Sequence, residues 1–423
     1  MLKKLKVHNF KTFLNSEFTF GPRHLLIGKN NSGKTNLVRL LQFLGLTATN
    51  ELDQAATWLP GGIQEICNWS LKSDQIDIAL DCTWEYEGLP HSYRYELGLE
   101  RYSPGRALAG KQAGLRLVNE RLVLSLESKN LILLENNGIE ALILREETNP
   151  QEHDRAQAPN NATMLSKVYE AESNRRTILF RNYLRNWRYF SLSPLAMRTG
   201  PVEAWRGGQA PQAGFPFHGW WTACDPFGFE LSNSIFQLKV LDDRRFRQLL
   251  KHVRLVEPAL EAINHIPAPG QQPVPFVALS NQQNASWNGL SDGTLRAIAM
   301  ALIIETSAAC SPPTNAMPCL TLIEEPENGI YPGLLRRFFD LFEDWAPSSQ
   351  FIFTSHSPYF IDMFDDKRQW VTILKKATDR SESFSPPNIE PEKNGAERLT
   401  LASEYASELF HDTADRSRVP GSH

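Results

Sequence analysis

Residues 28–35, Gly28-Lys29-Asn30-Asn31-Ser32-Gly33-Lys34-Thr35, fit the spacing G-x-x-x-x-G-K-[ST] in full. These residue types suit one task, the wrapping of a chain of phosphates. Gly28 and Gly33 let the backbone approach closely, and successive amide N–H groups with a helix N-terminus aim positive ends at the anion. Lys34 adds a charge near the β- and γ-phosphates, and the Thr35 hydroxyl is a Mg²⁺ ligand. The turn as far as Asn36 is the expected nucleotide cradle. A second group ends the apolar run Cys319-Leu320-Thr321-Leu322-Ile323, where Glu324 and Glu325 stand side by side. Glu324 is expected to hold Mg²⁺ through water, and Glu325 to orient and deprotonate an attacking water. A strand ending at a wet surface would look the same; the phosphate turn elsewhere in the chain gives the two acids their meaning.

These residues need rigid elements to hold them. Leu25-Leu26-Ile27 is a continuous apolar run, the pattern of a strand buried on both faces. After the turn, Leu37, Leu40, Leu41 and Leu44 fall at i, i+3, i+4 and i+7, the stripe of an amphipathic helix. Leu5, Val7 and Phe10 mark an earlier strand, and Phe18 and Phe20 another. Residues 76–145 predict antiparallel strands at 76–83, 91–99, 115–118, 122–127, 131–134 and 139–144, with turns such as Asn136-Asn137-Gly138. Residues 163–190 predict a helix ending in a strand, 199–230 a long loop rich in Gly, Pro, Phe and Trp, and 240–262 helix. A breaker run follows at 266–275. From 287 to 376, alternating helix and strand predicts a parallel sheet, and 378–396 a polar surface loop. There is no internal repeat. The expected fold is α/β: a nucleotide-binding lobe begun by 1–75, an antiparallel β subdomain at 76–160, a helical lobe at 161–285, and the rest of the core at 286–423.

The chain has 423 residues, a length for two or three lobes. Its 41% apolar and 22% charged residues exclude a wholly disordered chain, a collagen-like repeat and a long coiled coil. Lys+Arg of 44 against Asp+Glu of 48 leaves a net charge of −4, so binding to nucleic acid or anionic lipid requires a local basic patch. Five scattered cysteines (Cys67, Cys82, Cys224, Cys310 and Cys319) with no C-x-x-C pair argue against a disulfide framework or structural zinc and suit a reducing cytoplasm. Lys6, His8 and Lys11 interrupt any signal-like start, and the apolar stretch 297–304 is far short of the ~20 residues of a membrane span. A cytoplasmic location is expected.

A third segment, Asn288-Gly289-Leu290-Ser291-Asp292-Gly293-Thr294-Leu295-Arg296, resembles the Leu-Ser-Gly-Gly-Gln signature of ATP-binding-cassette ATPases, in the variant of RecF-, SMC- and OLD-like heads. Phe351-Ile352-Phe353-Thr354-Ser355-His356-Ser357-Pro358 is similar to that family's switch-histidine strand, and Asn9-Phe10-Lys11-Thr12-Phe13 to its opening. The four motifs stand in the family's order from about residue 10 to 360. The resemblance implies an ABC-type P-loop head with a mixed parallel core sheet, using ATP and Mg²⁺ and hydrolysing ATP. Two heads would sandwich two nucleotides, with Ser291, Asp292 and Gly293 of one subunit closing over the phosphate turn of the other. His356 would sense or polarise the γ-phosphate; an isolated histidine there would otherwise be a core residue at a strand end.

Two features depart from the family. Glu324 stands where Asp is more common, so the metal shifts by a methylene and slow turnover is expected. Asn328-Gly329-Ile330-Tyr331-Pro332 replaces a His-Leu-His-Pro-like segment. Gln75 and Gln237 are candidates for the family's glutamine loop, neither convincing. The gap between Thr35 and Ser291 holds no sustained heptad, unlike SMC proteins, and too few residues follow His356 for the TOPRIM nuclease of OLD proteins. Asp362, Asp365 and Asp366 are read as a solvated helix end.

Arg181, Arg185 and Arg188 (i, i+4, i+7) and the set Arg244, Arg247, Lys251 and Arg254 form two basic helical faces that offer contacts to a DNA or RNA backbone. The wet side of an amphipathic helix is the plainer reading of each alone. The loop bearing Trp205, Trp220 and Trp221 is open between base stacking, a protein anchor and a core cover. The expected function is an ATPase that gates a separately encoded effector, as in the ATPase subunits of bacterial anti-phage systems. The alternatives are a RecF-like repair ATPase and an ATP-locked scaffold for a protein partner.

Overall fold

The structure, a computed structural model, describes residues 1–102, 113–127, 129–146, 152–169, 172–198, 225–266, 274–309, 318–377, 380–386 and 400–407. In chain order, β1 (Leu2–Phe10), β2 (Phe13–Thr19) and β3 (Arg23–Ile27) lead to α1 (Lys34–Thr47) and α2 (Leu52–Thr57). Then come β4 (Gln75–Tyr86), β5 (Leu89–Tyr102), β6 (Gly114–Leu126), β7 (Lys129–Asn136), β8 (Glu140–Leu144), β9 (His153–Gln157), α3 (Arg175–Arg185) and β10 (Arg188–Phe190). The second half holds α4 (Leu231–Leu241), α5 (Asp243–Arg254), β11 (Leu260–Ile266), β12 (Val274–Leu279), β13 (Asn284–Ser286) and α6 (Asp292–Ala309). It closes with β14 (Leu320–Glu324), α7 (Pro332–Trp345), β15 (Gln350–Thr354), α8 (Pro358–Asp362), β16 (Val371–Lys376), β17 (Ser381–Phe384) and α9 (Leu401–Ala406).

Alternating apolar residues build an antiparallel sheet of eight strands in the order β2-β1-β4-β5-β6-β7-β8-β9. It spans both the opening strands and the 76–160 region. One strand, β6, replaces the two expected at 115–118 and 122–127. The polar residues between them suggest a turn, but β6 pairs with β5 straight through them, with a register shift between Gly98 and Leu99. Glu120, only 1% exposed, turns inward. It accepts hydrogen bonds from Tyr95 Oη at 2.8 Å, Met164 N at 2.6 Å and Leu165 N at 3.1 Å. A buried carboxylate is tolerable only with such partners.

The second sheet runs β10-β14-β15-β3-β16-β17, parallel except for β17. All five residues of β3 are buried, as the apolar run predicts. Arg23 is buried too, because its guanidinium caps the carboxyl end of α7. It donates to the carbonyls of Phe342, Ala346 (2.9 Å) and Ser349 (2.6 Å). One core lies between the eight-stranded sheet, α1 and α3; the other packs helices α4–α7 on the parallel sheet. Helix α6 is buried through its apolar stretch 297–304, so that run is a core helix. Among the described residues no helix is long and apolar enough to cross a membrane.

Several expectations change. Helix occupies 231–254, broken at Asp242, and the chain is already a strand by Leu260. Helix α3 ends at Arg185, so Arg188 lies on β10 and does not share a helical face with Arg181 and Arg185. Trp187 is buried at that break, which turns the chain into the sheet. Asp362 and Asp365 are not merely solvated: they accept from Ala402 N and Leu401 N and so cap α9. The loop with Trp205, Trp220 and Trp221, with Cys224 and Cys310 and most of 266–275 and 378–396, lies outside the described residues.

Candidate functional site

Strands β3, β14, β15 and β10 are parallel neighbours, so the turns that follow them open at one edge of the sheet. That edge is where parallel α/β sheets bind ligands. The phosphate turn follows β3, the two acids end β14, His356 follows β15 and Ser191 follows β10. A cavity of about 480 Å³ opens there. It is lined by residues 30–36, Ser191, Leu192, Arg296, Glu324, Glu325, Asn328, Thr354 and His356.

Two glycines are required. A Cβ on Gly28 would lie 2.4 Å from both Ser32 Oγ and Leu374 O, and Gly33 has a φ of +106°. Between them Lys34 Nζ donates to the carbonyls of Gly28 at 2.5 Å and Lys29 at 3.3 Å. Gly28 and Lys29 therefore hold the lysine, while residues 30–36 face the cavity. Ser32 Oγ is buried and has no hydrogen-bond partner among the described residues. A buried hydroxyl without a partner, in a turn that lines the cavity, fits an anionic ligand.

The acids sit opposite. Glu325 is a non-glycine residue with φ +47°, and its N–H donates to Thr354 O at 2.9 Å. Such strained backbone persists only where the surroundings hold it. Asn328 Nδ2 donates to Glu325 Oε2. Glu324 Oε2 accepts from Tyr189 Oη at 2.6 Å. Thr35 and Glu324 supply hard oxygen donors, the set that Mg²⁺ takes. Glu327, third of the acids, ties the acidic turn to the histidine turn: its Oε1 accepts from Ser355 Oγ at 2.6 Å and from the N–H of His356 at 3.2 Å. His356 is exposed at the cavity wall, not a core residue. Partial desolvation and then the Lys34 charge lower its pKa, against the pull of Glu325.

Burial lowers Lys34 to about 8, against the pull of Glu325 and Glu324. A bound polyphosphate restores the charged form. Nucleotide binding at pH 9 is therefore expected to take up a proton, and binding at pH 7 is not. Calorimetry in buffers of different ionisation enthalpy checks this; equal proton uptake at both values contradicts it.

The head of the signature segment lies outside this cavity, which only its last residue, Arg296, lines. Ser291 and Asp292 are exposed, and neither they nor Gly293 line the cavity of their own subunit. Ser291 Oγ accepts from Thr294 N at 3.1 Å, capping α6. Asp292 pairs with Arg198 at 2.6 Å, and Arg198 also donates to Leu290 O at 2.7 Å. Neither Gln75 nor Gln237 reaches the cavity; Ser191 and Leu192 form the wall after β10.

Sequence reasoning missed Arg296, Asn328, Ser191, Tyr189 and Glu327. Arg296 and Asn328 stand inside segments already compared with the family, where no role is assigned to them. Tyr189 and Ser191 sit in a three-residue strand and its exit, with no local pattern. Of the basic faces, Arg181 donates to Val168 O and lies over Tyr169, and Arg188 Nη1 donates to Thr306 Oγ1 at 3.0 Å. Both are committed within the subunit. Arg244, Arg247, Lys251 and Arg254 are exposed along α5, with Arg247 paired to Asp243.

Residues 1–176 match the family described as "AAA ATPase domain", and residues 224–362 the family described as "AAA domain, putative AbiEii toxin, Type IV TA system". The first segment carries the phosphate turn and the second the signature, acidic and histidine turns. No curated protein matches the chain. Among solved structures, an SmcHead bound to the C-winged helix domain of ScpA is similar, with 13% identity over 91% of this chain and 98% of that one, and a TM-score of 0.50. An SMC head domain from Thermotoga maritima has 12% identity, 92% and 99% coverage and a TM-score of 0.41. A Smc head domain with an extended coiled coil, bound to the C-terminal domain of ScpA derived from Pyrococcus furiosus, has 12% identity, 97% and 98% coverage and a TM-score of 0.44.

Proposed function

We propose that this chain, whose residues 1–176 and 224–362 match AAA ATPase domain families and whose α/β fold is similar to that of an SMC head, binds and hydrolyses ATP with Mg²⁺ and closes as a dimer around it. One observation carries the reading. Lys34, Thr35, Glu324, Glu325 and His356 converge on one cavity, while Ser291 is exposed and outside it. A signature turn that faces solvent in its own subunit is free to cap the nucleotide of another.

In that reading Gly28 and Gly33 shape the turn, the amides of residues 29–34 and Lys34 bind the phosphates, and Asn36 borders them. Thr35 and Glu324 would hold Mg²⁺, which would supply neutralising charge to the phosphates. Glu325 orients water and takes its proton, and His356 donates to the γ-phosphate. From the second subunit, Ser291 and Gly293 contribute the end of α6, with Asp292 held in place by Arg198.

We further propose that this cycle, in the cytoplasm, gates a separately encoded effector in an anti-phage system. The toxin–antitoxin wording of the 224–362 family and the ScpA bound to the similar SmcHead support a partner protein. Of the nucleic-acid faces, α5 with Arg244 and Arg247 is the one to test. The deciding experiment is light scattering with and without ATP, alongside steady-state hydrolysis. Mass should double with ATP and fall back as ATP is consumed. Doubling without turnover favours the locked scaffold, and no doubling removes the dimer. Duplex DNA binding at low salt, lost on reversing the charges of Arg244 and Arg247, brings in the RecF-like alternative.

A further inference from the structure

Tyr189 is 3% exposed, and its hydroxyl donates to Glu324 Oε2 at 2.6 Å. Strand register explains the meeting. In the parallel pair of β10 and β14, Tyr189 lies opposite Leu322. Leu322 and Glu324 are two apart on one strand, so all three side chains share a face of the sheet. That face is covered by α1, which follows the phosphate turn. From α1 the Arg39 guanidinium lies 4.6 Å over the Tyr189 ring centroid, while Arg39 Nη1 donates to Gln42 Oε1 at 2.7 Å. The tyrosine is thus clamped between the helix that begins at Lys34 and the strand that ends in the acids.

This placement bears on the unusual glutamate. Compared with Asp, Glu324 has one more rotatable bond, and its carboxylate sweeps a larger volume unless something holds it. A hydroxyl donating to a carboxylate is a strong, directional hydrogen bond. It engages Oε2, while Glu324 lines the cavity.

We propose that Tyr189 is a positioning residue for the Mg²⁺ site, its hydroxyl fixing the Glu324 carboxylate so that the longer side chain serves where a shorter one would need no such support. The inference rests on the ATP–Mg²⁺ reading above. It makes Tyr189 and Glu324 one unit: the tyrosine is expected to act on the metal only through the glutamate.

The test uses Mn²⁺ as probe. Electron paramagnetic resonance reads its affinity for the full chain with ATP, and a fluorescent ATP analogue in EDTA reads metal-free nucleotide binding. Tyr189→Phe keeps the ring beneath Arg39 and removes only the hydroxyl. It is expected to weaken Mn²⁺ about tenfold, as loss of an outer partner of a metal ligand does, and to leave metal-free nucleotide binding unchanged. In a Glu324→Gln background the same change should add nothing, because the group it positions is gone. Wild-type Mn²⁺ affinity in Tyr189→Phe, or a loss that adds in full to that of Glu324→Gln, overturns the inference while the ATPase reading stands. Wild-type Mn²⁺ affinity in Glu324→Gln overturns the metal reading and this inference with it. A merely structural tyrosine would lower the melting temperature and metal-free nucleotide binding together, which also overturns it.

Discussion

Glu325→Gln is expected to lower steady-state ATP hydrolysis by about 10²–10⁴-fold, the range for removing a general base, while ATP-dependent dimers persist and accumulate. Glutamine has nearly the shape of glutamate. Its side-chain oxygen still accepts from Asn328 Nδ2, and the backbone at φ +47° and the Glu325 N–H bond to Thr354 O are untouched. What disappears is a proton acceptor and a negative charge beside Lys34 and His356, two groups whose pKa values respond to that charge. Binding should tighten as a like-charge neighbour of the γ-phosphate is removed. Light scattering and a phosphate-release assay on one preparation measure both effects. Hydrolysis at the wild-type rate would remove Glu325 from the chemistry. Loss of binding together with turnover would mean that the acid is structural.

The second expectation concerns which chain closes the site. Lys34→Ala and Ser291→Arg are each expected to abolish hydrolysis, the first by removing the phosphate charge and the second by blocking the interface. Mixed in equal amounts they should recover about one quarter of wild-type activity, if chains pair at random in a two-fold dimer. Half of the dimers are then mixed. In each mixed dimer one site joins an intact turn from the Ser291→Arg chain to an intact signature from the Lys34→Ala chain. The geometry motivates the experiment, because Ser291 is exposed at the head of α6 and does not line the cavity that Lys34 faces. A site completed within one chain would give no recovery, and that outcome would end the sandwich reading.

Particular residues show why some of this could be read in one dimension and some could not. The phosphate turn was legible because its pattern is local: Gly33 has a φ of +106°, a Cβ on Gly28 would meet Ser32 Oγ four residues on as well as the remote Leu374 O, and Lys34 reaches carbonyls five and six residues away. Strand β3 and helix α1 were legible from apolar spacing, since burial on two faces or one leaves a periodic mark. The β6 error arose where a buried Glu120 mimics a polar turn, and its partners Tyr95, Met164 and Leu165 are remote in sequence. Arg188 was misplaced because helical periodicity continues on paper past the point where Trp187 turns the chain into the sheet.

By itself, then, the sequence determined the residue types of each turn and the order of the turns along the chain, because both are written in residues a few positions apart. Only the tertiary structure decided their company. Parallel strand order set the turns after β3, β10, β14 and β15 at one edge, and register set Tyr189 against Glu324 across 135 positions of chain. The reason is physical: sheet pairing and side-chain hydrogen bonds are fixed by distance in space, and a parallel sheet brings together strands that a linear pattern records only as separate apolar runs.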